Sequence, residues 1–286
     1  MAVRIVADTT AGLPLEFAAQ HGIPILPQIV IFGEESYRDD CDLDTATFLK
    51  KLKAAATLPK TAAPPPALYV PIYKELVEAG HSVLVITPSA DVSGTYRSAL
   101  VGLEDFRNTH PEHAGADIRV WDCRILAGPM AELVQRAVAW AEAGDSMDAI
   151  LTRLEEMKPK TRVFLMVDTL EYLQKGGRIG GAQALVGTLL QIKPILHVED
   201  GRLGAGESQR TQRKAMARIC ELAVEAWQRG AQGLCVMHAA AEENAARLAA
   251  DIQRQLGLPE LPVYLLPPAI VVHAGPGVLA VGWIEP

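Results

Sequence analysis

The sequence is short of aromatic residues, cysteines and positive charge, and each shortage argues against a class of function. Aromatic residues make up only 5% of the 286, too few for the stacking platforms that hold single-stranded nucleic acid. Lysine and arginine number 27 against 34 aspartates and glutamates, a formal net charge of −7. A nucleic-acid binder usually needs the opposite balance to neutralise phosphates. The four cysteines, Cys41, Cys123, Cys220 and Cys235, form no CxxC, and no histidine pair has zinc-ligand spacing, so neither a metal site nor a redox pair is expected. Four cysteines in so long a chain also make a poor disulfide framework. A phosphate-cradling GxxxxGK[ST] is missing, as are GxSxG and a GxGxxG after a strand. The most apolar stretch, residues 261–284, is broken by prolines, glycines and His273, which argues against a membrane span. The first residues lack signal-peptide anatomy, and the expected compartment is the cytoplasm.

What the chain does have is apolar content and regular alternation. Hydrophobic residues reach 49%, enough for a large core in one or two domains, with two favoured by length. Strands are expected at residues 3–7, 23–32, 82–87 and 118–121, and helices at 43–53, 67–79, 94–107 and 127–143, the first capped by Asp42 or Asp44. This βα alternation predicts a Rossmann-like parallel sheet covered by helices on both faces. A charged, proline-containing break at residues 155–161 divides the chain into domains 1–158 and 159–286. Beyond it come a strand at 163–167, the glycine-rich run KGGRIGG and an apolar helix at 182–191. Asp200-Gly201 then signals a hairpin between strands at 195–198 and 203–205. A helix at 211–228, a strand at 234–237, a helix at 243–256 and two strands ending at Trp283 complete the pattern. The mixed order predicts a second, α+β domain with a partly antiparallel sheet.

Five segments put hydroxyl or glycine residues where open α/β sheets bind ligands, beyond the carboxyl ends of strands. Asp8-Thr9-Thr10 follows the first strand. Thr61 precedes Pro64-Pro65-Pro66, whose fixed φ stiffens the backbone. Ser89 and then Ser93-Gly94-Thr95 lead from a strand into a helix, whose free N–H groups attract anions. Lys175-Gly176-Gly177-Arg178 suits a cationic nest, and His273 heads the turn Gly275-Pro276-Gly277, which lets backbone approach a ligand closely. Taken singly, each has an equally plain reading as a cap, turn, hinge or hydrogen-bonded core histidine. Arg210, Arg213, Lys214 and Arg218 share one face of an expected helix, either as a docking stripe or as a solvated surface.

The order of these segments is more specific than any one of them. DTTAGLP, Thr61 before prolines, PSADVSGTYRSA, TLEYLQKGGRIG, RTQRKA and HAGPG together resemble the pattern of the DegV family, over essentially the whole chain. The resemblance implies a Rossmann-like domain paired with a smaller α/β domain, and a tunnel that encloses one long-chain fatty acid. It implies a lipid carrier, not an enzyme, that presents the carboxylate to a fatty acid kinase subunit; ATP and Mg²⁺ would belong to that partner, and the chain would need no cofactor of its own. The implied carboxylate ligands are Thr61, Ser93 and His273, with Asp8, Thr10, Ser89, Gly94, Thr95 and Arg178 expected to support the pocket. Arg210, with Arg213 and Lys214, would meet the kinase, and transient contact with a membrane surface is compatible with this role. Family members often carry Thr-Ser and Ser-Ser where this chain has Thr61-Ala62 and Ser89-Ala90, which leaves fewer spare hydroxyls. The residues also leave open a self-sufficient small-molecule kinase, a serine hydrolase using Ser93 and His273, and a carrier of another lipid.

Overall fold

The computed structural model describes residues 2–187 and 192–286. The chain begins with β1 (Val3–Asp8), α1 (Leu15–Gln20), β2 (Ile25–Leu26), β3 (Ile29–Phe32), β4 (Glu35–Arg38), α2 (Thr45–Ala54) and β5 (Lys60–Ala62). Next come α3 (Tyr69–Glu78), β6 (Ser82–Thr87), α4 (Thr95–Thr109), β7 (Ile118–Asp122), α5 (Gly128–Glu142) and α6 (Met147–Met157). The remainder runs β8 (Thr161–Met166), α7 (Glu171–Lys175), β9 (Lys193–Glu199), β10 (Arg202–Gln209), α8 (Gln212–Gln228), β11 (Gln232–His238), α9 (Glu242–Leu256), β12 (Val263–Leu265), α10 (Pro268–Ala274) and β13 (Leu279–Ile284).

The fold is the expected mixture of parallel and mixed sheets. Strands β2-β1-β6-β7 form a wholly parallel sheet, and β10-β9-β8-β13-β11-β12 a mixed one in which only β11 and β12 run parallel. The buried β6, SVLVIT, is apolar on both faces, as a central parallel strand must be. The two sheets fall on either side of residue 158, but the core does not: one apolar cluster extends from Val3 to Ile284. Helix α5 joins the layers, touching β1 on one side and β8, β11 and β13 on the other. Its close approach needs Gly282, where a Cβ would come within 2.7 Å of the Pro129 ring.

Several elements differ from the sequence expectations. The run 23–32 is not one strand: Pro27, which lacks an N–H, separates β2 from β3, and β3 joins a separate antiparallel sheet of order β4-β3-β5. Between the two candidate caps of α2, Asp44 is the one used, accepting the Thr47 N–H at 2.8 Å. Residues 180–185 form a 3-10 helix and not an α-helix, with Gly180 at its start and Gly187 beyond its end at positive φ; positions 188–191 of the expected helix lie outside the described residues. His273 lies on α10, not in a turn between strands. The β-branched run Ile270-Val271-Val272 reads as strand, but Pro268 in the first turn favours a helix start and burial overrides propensity. Arg210 precedes α8, whose N-cap is Thr211, so it does not share the helix face of Arg213 and Lys214. The Asp200-Gly201 hairpin forms as expected, with φ of 46° and 80°, the positive pair that a type I′ turn demands.

Candidate functional site

The parallel sheet reverses its winding between β1 and β6, so the loops leaving their carboxyl ends diverge and open a crevice. The segments after Asp8 and Thr87 occupy it. Strand β5 brings Thr61 to the same place through its register with β3, Val30 opposite Thr61. The third wall is one face of the mixed sheet, carrying Leu165, Val198 and Leu203. Together these border a cavity with about 870 Å³ of atom-free space, open mouth included. The wall is mainly apolar, with Leu126, Leu173 and Ile270 adding to the sheet residues. Polar groups are few: Thr10, Gln28, Thr61, Ser93, His273 and Arg178.

Thr61 and His273, 212 positions apart, meet at 2.8 Å between Oγ1 and Nε2. Helix α10 carries the histidine, and its start is tied down by the Ala269 N–H, which donates to Asp39 Oδ2 at 3.3 Å. A Cβ on Gly176 would collide with His273 Nδ1, so only glycine leaves room for the ring. Burial, and then the charge of Arg178, push the imidazole down to about 4, so it is neutral around pH 7. Its Nδ1 has no hydrogen-bond partner. Arg178 donates to the carbonyls of Val92 at 3.0 Å and Gly176 at 2.7 Å, and is the one arginine or lysine among the described residues of the wall.

Ser93 sits just before α4. Its Oγ lies 2.9 Å from Thr95 Oγ1 and accepts the Thr95 N–H at 3.3 Å. Behind it, the Gln28 amide donates to Thr95 Oγ1 and Asp8 Oδ2, each at 2.7 Å. Burial pushes the Asp8 carboxyl up, against hydrogen bonds from Thr10, Thr95 and Gln28 that pull it down. The proline loop is fixed to α4, where Ser98 donates to the Pro64 carbonyl.

The expected residues thus divide. Thr10, Thr61, Ser93, Gly94, Arg178 and His273 line one cavity, while Asp8 and Thr95 stand behind it as hydrogen-bond partners. Ser89 instead donates to the Gly201 carbonyl at 2.7 Å, in a clasp between the halves of the chain. There Arg124 pairs with Asp91 at 2.9 Å and Asp200 at 2.6 Å, and Arg202 with Asp91 at 3.0 Å. Arg210, Arg213 and Lys214 are exposed, whereas Arg218 pairs with Glu207, Glu221 and Glu225. Gln28 and Asp39, both buried beside the site, carry no motif that marks them; a lone glutamine in the apolar run 23–32 was the available signal for the first. Ser93 bonds to Thr95 and His273 to Thr61, so among the described residues no hydrogen-bonded serine–histidine pair supports the hydrolase alternative.

A family model described as "Uncharacterised protein, DegV family" matches residues 2–286. The chain belongs to the DegV family. Protein DegV of Bacillus subtilis is 34% identical over 284 residues, 99% of each chain. A DegV domain-containing protein of Halalkalibacterium halodurans is 35% identical over 283 residues, 98% of each. Solved DegV structures share the fold. A Thermus thermophilus member described for its fatty acid binding matches with a TM-score of 0.89 at 31% identity over 100% of both chains. The DegV structure from Bacillus subtilis, described as a fatty acid binding protein, gives 0.88 at 33% over 100% of both. A stearic-acid-binding protein from Eubacterium ventriosum gives 0.89 at 25%, covering 99% of this chain and 98% of its own.

Proposed function

We propose that this chain binds one long-chain fatty acid in the cavity, with the carboxylate at Thr61, Ser93 and His273, and presents it to a fatty acid kinase. The observation that carries the reading is the apolar cavity with Thr61 and His273 hydrogen-bonded on its wall beside Ser93, in a family with solved members described as fatty acid binding. About fifteen buried methylenes at about 0.8 kcal/mol each give roughly 12 kcal/mol gross, enough for tight binding after association costs of several kcal/mol. The head group then needs only a few donors to offset its desolvation. Two hydroxyls and a neutral imidazole hold it without a tight ion pair, which leaves a carboxylate oxygen free to attack. With the kinase, that oxygen would form a bond to the γ-phosphorus of ATP as the bond to ADP breaks, giving an acyl phosphate. The ligand would lie between and within the two halves, 1–158 and 159–286, and exposed Arg210, Arg213 and Lys214 would face the kinase. Native mass spectrometry of protein purified from bacterial cells tests the reading: about one fatty acid per chain is expected. Delipidated protein that ignores palmitate but binds a nucleotide or sugar would refute it.

A further inference from the structure

The first turn of α10 has one N–H that the helix itself leaves unpaired. Pro268 has none, and the N–H groups of Ile270 and Val271 both donate to the Pro267 carbonyl, at 2.9 and 3.2 Å. The N-cap is Pro267, whose side chain accepts no hydrogen bond. The Ala269 N–H remains, and it donates to Asp39 Oδ2, 230 positions earlier in the chain. Asp39 therefore does for α10 what an N-cap side chain ordinarily does, from a different part of the fold. Ala269 and His273 are four apart, hence on one face of the helix, and both line the cavity.

Asp39 is fixed equally well at its backbone. It follows β4, whose pairing with β3 sets Tyr37 opposite Val30, and Val30 in turn stands opposite Thr61 of β5. Its N–H extends that pairing to the Gln28 carbonyl at 2.8 Å. Its side chain is wholly buried, and Oδ2 is also bonded to Thr9 Oγ1 at 2.9 Å. Thr61 thus belongs to the sheet that leads into Asp39, and His273 to the helix that Asp39 caps. We infer that Asp39 is a positioning residue that sets the spacing of Thr61 and His273, the 2.8 Å pair of the proposed head-group site; this rests on the fatty-acid reading above. Asp39 itself does not line the cavity. Without its acceptor the Ala269 N–H is buried and unpaired, a costly state. The start of α10 then moves to find another partner, and His273, one turn on, loses its register with Thr61.

The test titrates palmitate and hexadecanol, which has the same alkyl length but no charge, into delipidated wild type, Asp39→Ala, Asp39→Asn, His273→Ala and the double alanine variant. Asp39→Ala is expected to weaken palmitate about tenfold, as loss of one hydrogen bond to a charged group implies, and hexadecanol far less. Asp39→Asn keeps an acceptor for Ala269 and should match wild type with both ligands. His273→Ala should cost palmitate a factor similar to that of Asp39→Ala. The double variant should then bind no worse than His273→Ala alone, because both changes remove the same contact. A side chain that served stability alone would lower the unfolding midpoint in Asp39→Ala yet leave the preference for acid over alcohol at its wild-type value. That result, losses that multiply in the double variant, or an asparagine variant as weak as the alanine one would each overturn the inference. Should Asp39→Ala fail to fold, Asp39→Leu fills the site without an acceptor, and the same comparisons decide. Wild type that binds no palmitate, or His273→Ala that binds it fully, defeats the functional reading itself; the three results before these defeat only the role of Asp39.

Discussion

Replacing Asp39 with asparagine is expected to flatten the dependence of stability on pH between about 6.5 and 8. Asp39 is fully buried; its Oδ2 accepts from Thr9 and Ala269, and its Oδ1 has no partner. Burial, first, and then the charge of Asp40 push its carboxyl up to about 8 from 3.8, against those two hydrogen bonds, with Asp8 adding a smaller upward push. A group raised on folding contributes stability that is fully present below its unfolded value and lost as pH rises through its folded one. The loss therefore runs from about pH 4 to pH 8, at about 1.4 kcal/mol per unit. His273 acts in the opposite sense: lowered from 6.5 to about 4, it contributes stability present above 6.5 and lost as pH falls. Between pH 6.5 and 8 the histidine is silent, and the Asp39 loss there is about 2 kcal/mol. Asparagine keeps an acceptor for Thr9 and Ala269 but cannot ionise. Urea unfolding of the delipidated proteins across this window should show wild type losing about 2 kcal/mol relative to Asp39→Asn. Parallel curves for the two proteins would refute the argument, because they would mean that the carboxyl is already ionised in the folded state below that range.

Gly176→Ala places a Cβ against His273 Nδ1 and 2.9 Å from the Tyr172 carbonyl; it should cost about 1–3 kcal/mol of stability and weaken palmitate at least tenfold, and a titration with unchanged affinity would remove the imidazole from the head-group site. Arg124→Ala opens the clasp to Asp91 and Asp200; a loss of about 1 kcal/mol that shrinks in high salt is expected from partly exposed ion pairs, whereas a salt-independent loss in urea unfolding would point to packing. Arg210→Ala, at an exposed position before α8, should leave palmitate affinity unchanged while lowering acyl-phosphate formation with the kinase; equal loss of both would assign it to the pocket.

Much of the framework was legible because local and tertiary preferences agree. Asp200-Gly201 is a strong hairpin signal in isolation, and the fold uses it as such. The apolar runs of β1 and β6 suit only a sheet covered on both faces, and they form its centre. Where the two preferences conflict, the sequence misleads. Residues 270–272 favour strand by β-branching, yet α10 is what sets His273 against Thr61. Residues 23–32 read as one strand because periodicity does not register that Pro27 ends one sheet and lets the next begin. The hydroxyls of the site stand out in motifs, whereas Gln28 does not, since its importance comes from partners 20 and 67 positions away.

The three proposed head-group residues reach the cavity from different elements of the fold, and that ties the site to the packing of the whole chain. Thr61 is placed by pairing with β3, Ser93 by the start of α4 beyond the parallel sheet, and His273 by a helix anchored on Asp39. The opposite wall belongs to the mixed sheet, where Leu165 and Val198 face the cavity while their neighbours Met166 and Ile195 pack into a separate core with α8 and α9. That sheet already has a complete core on its far side. Its near side therefore retains apolar surface whose packing partners are supplied in part by whatever fills the cavity, because side chains lining a void lose their dispersion contacts outright. Under the proposed function, a long alkyl chain would restore those contacts to both halves at once. A ligand that binds only the folded state raises stability in proportion to the logarithm of its concentration over Kd, so the proposed ligand would make loading of the cavity and cohesion of the two halves one equilibrium.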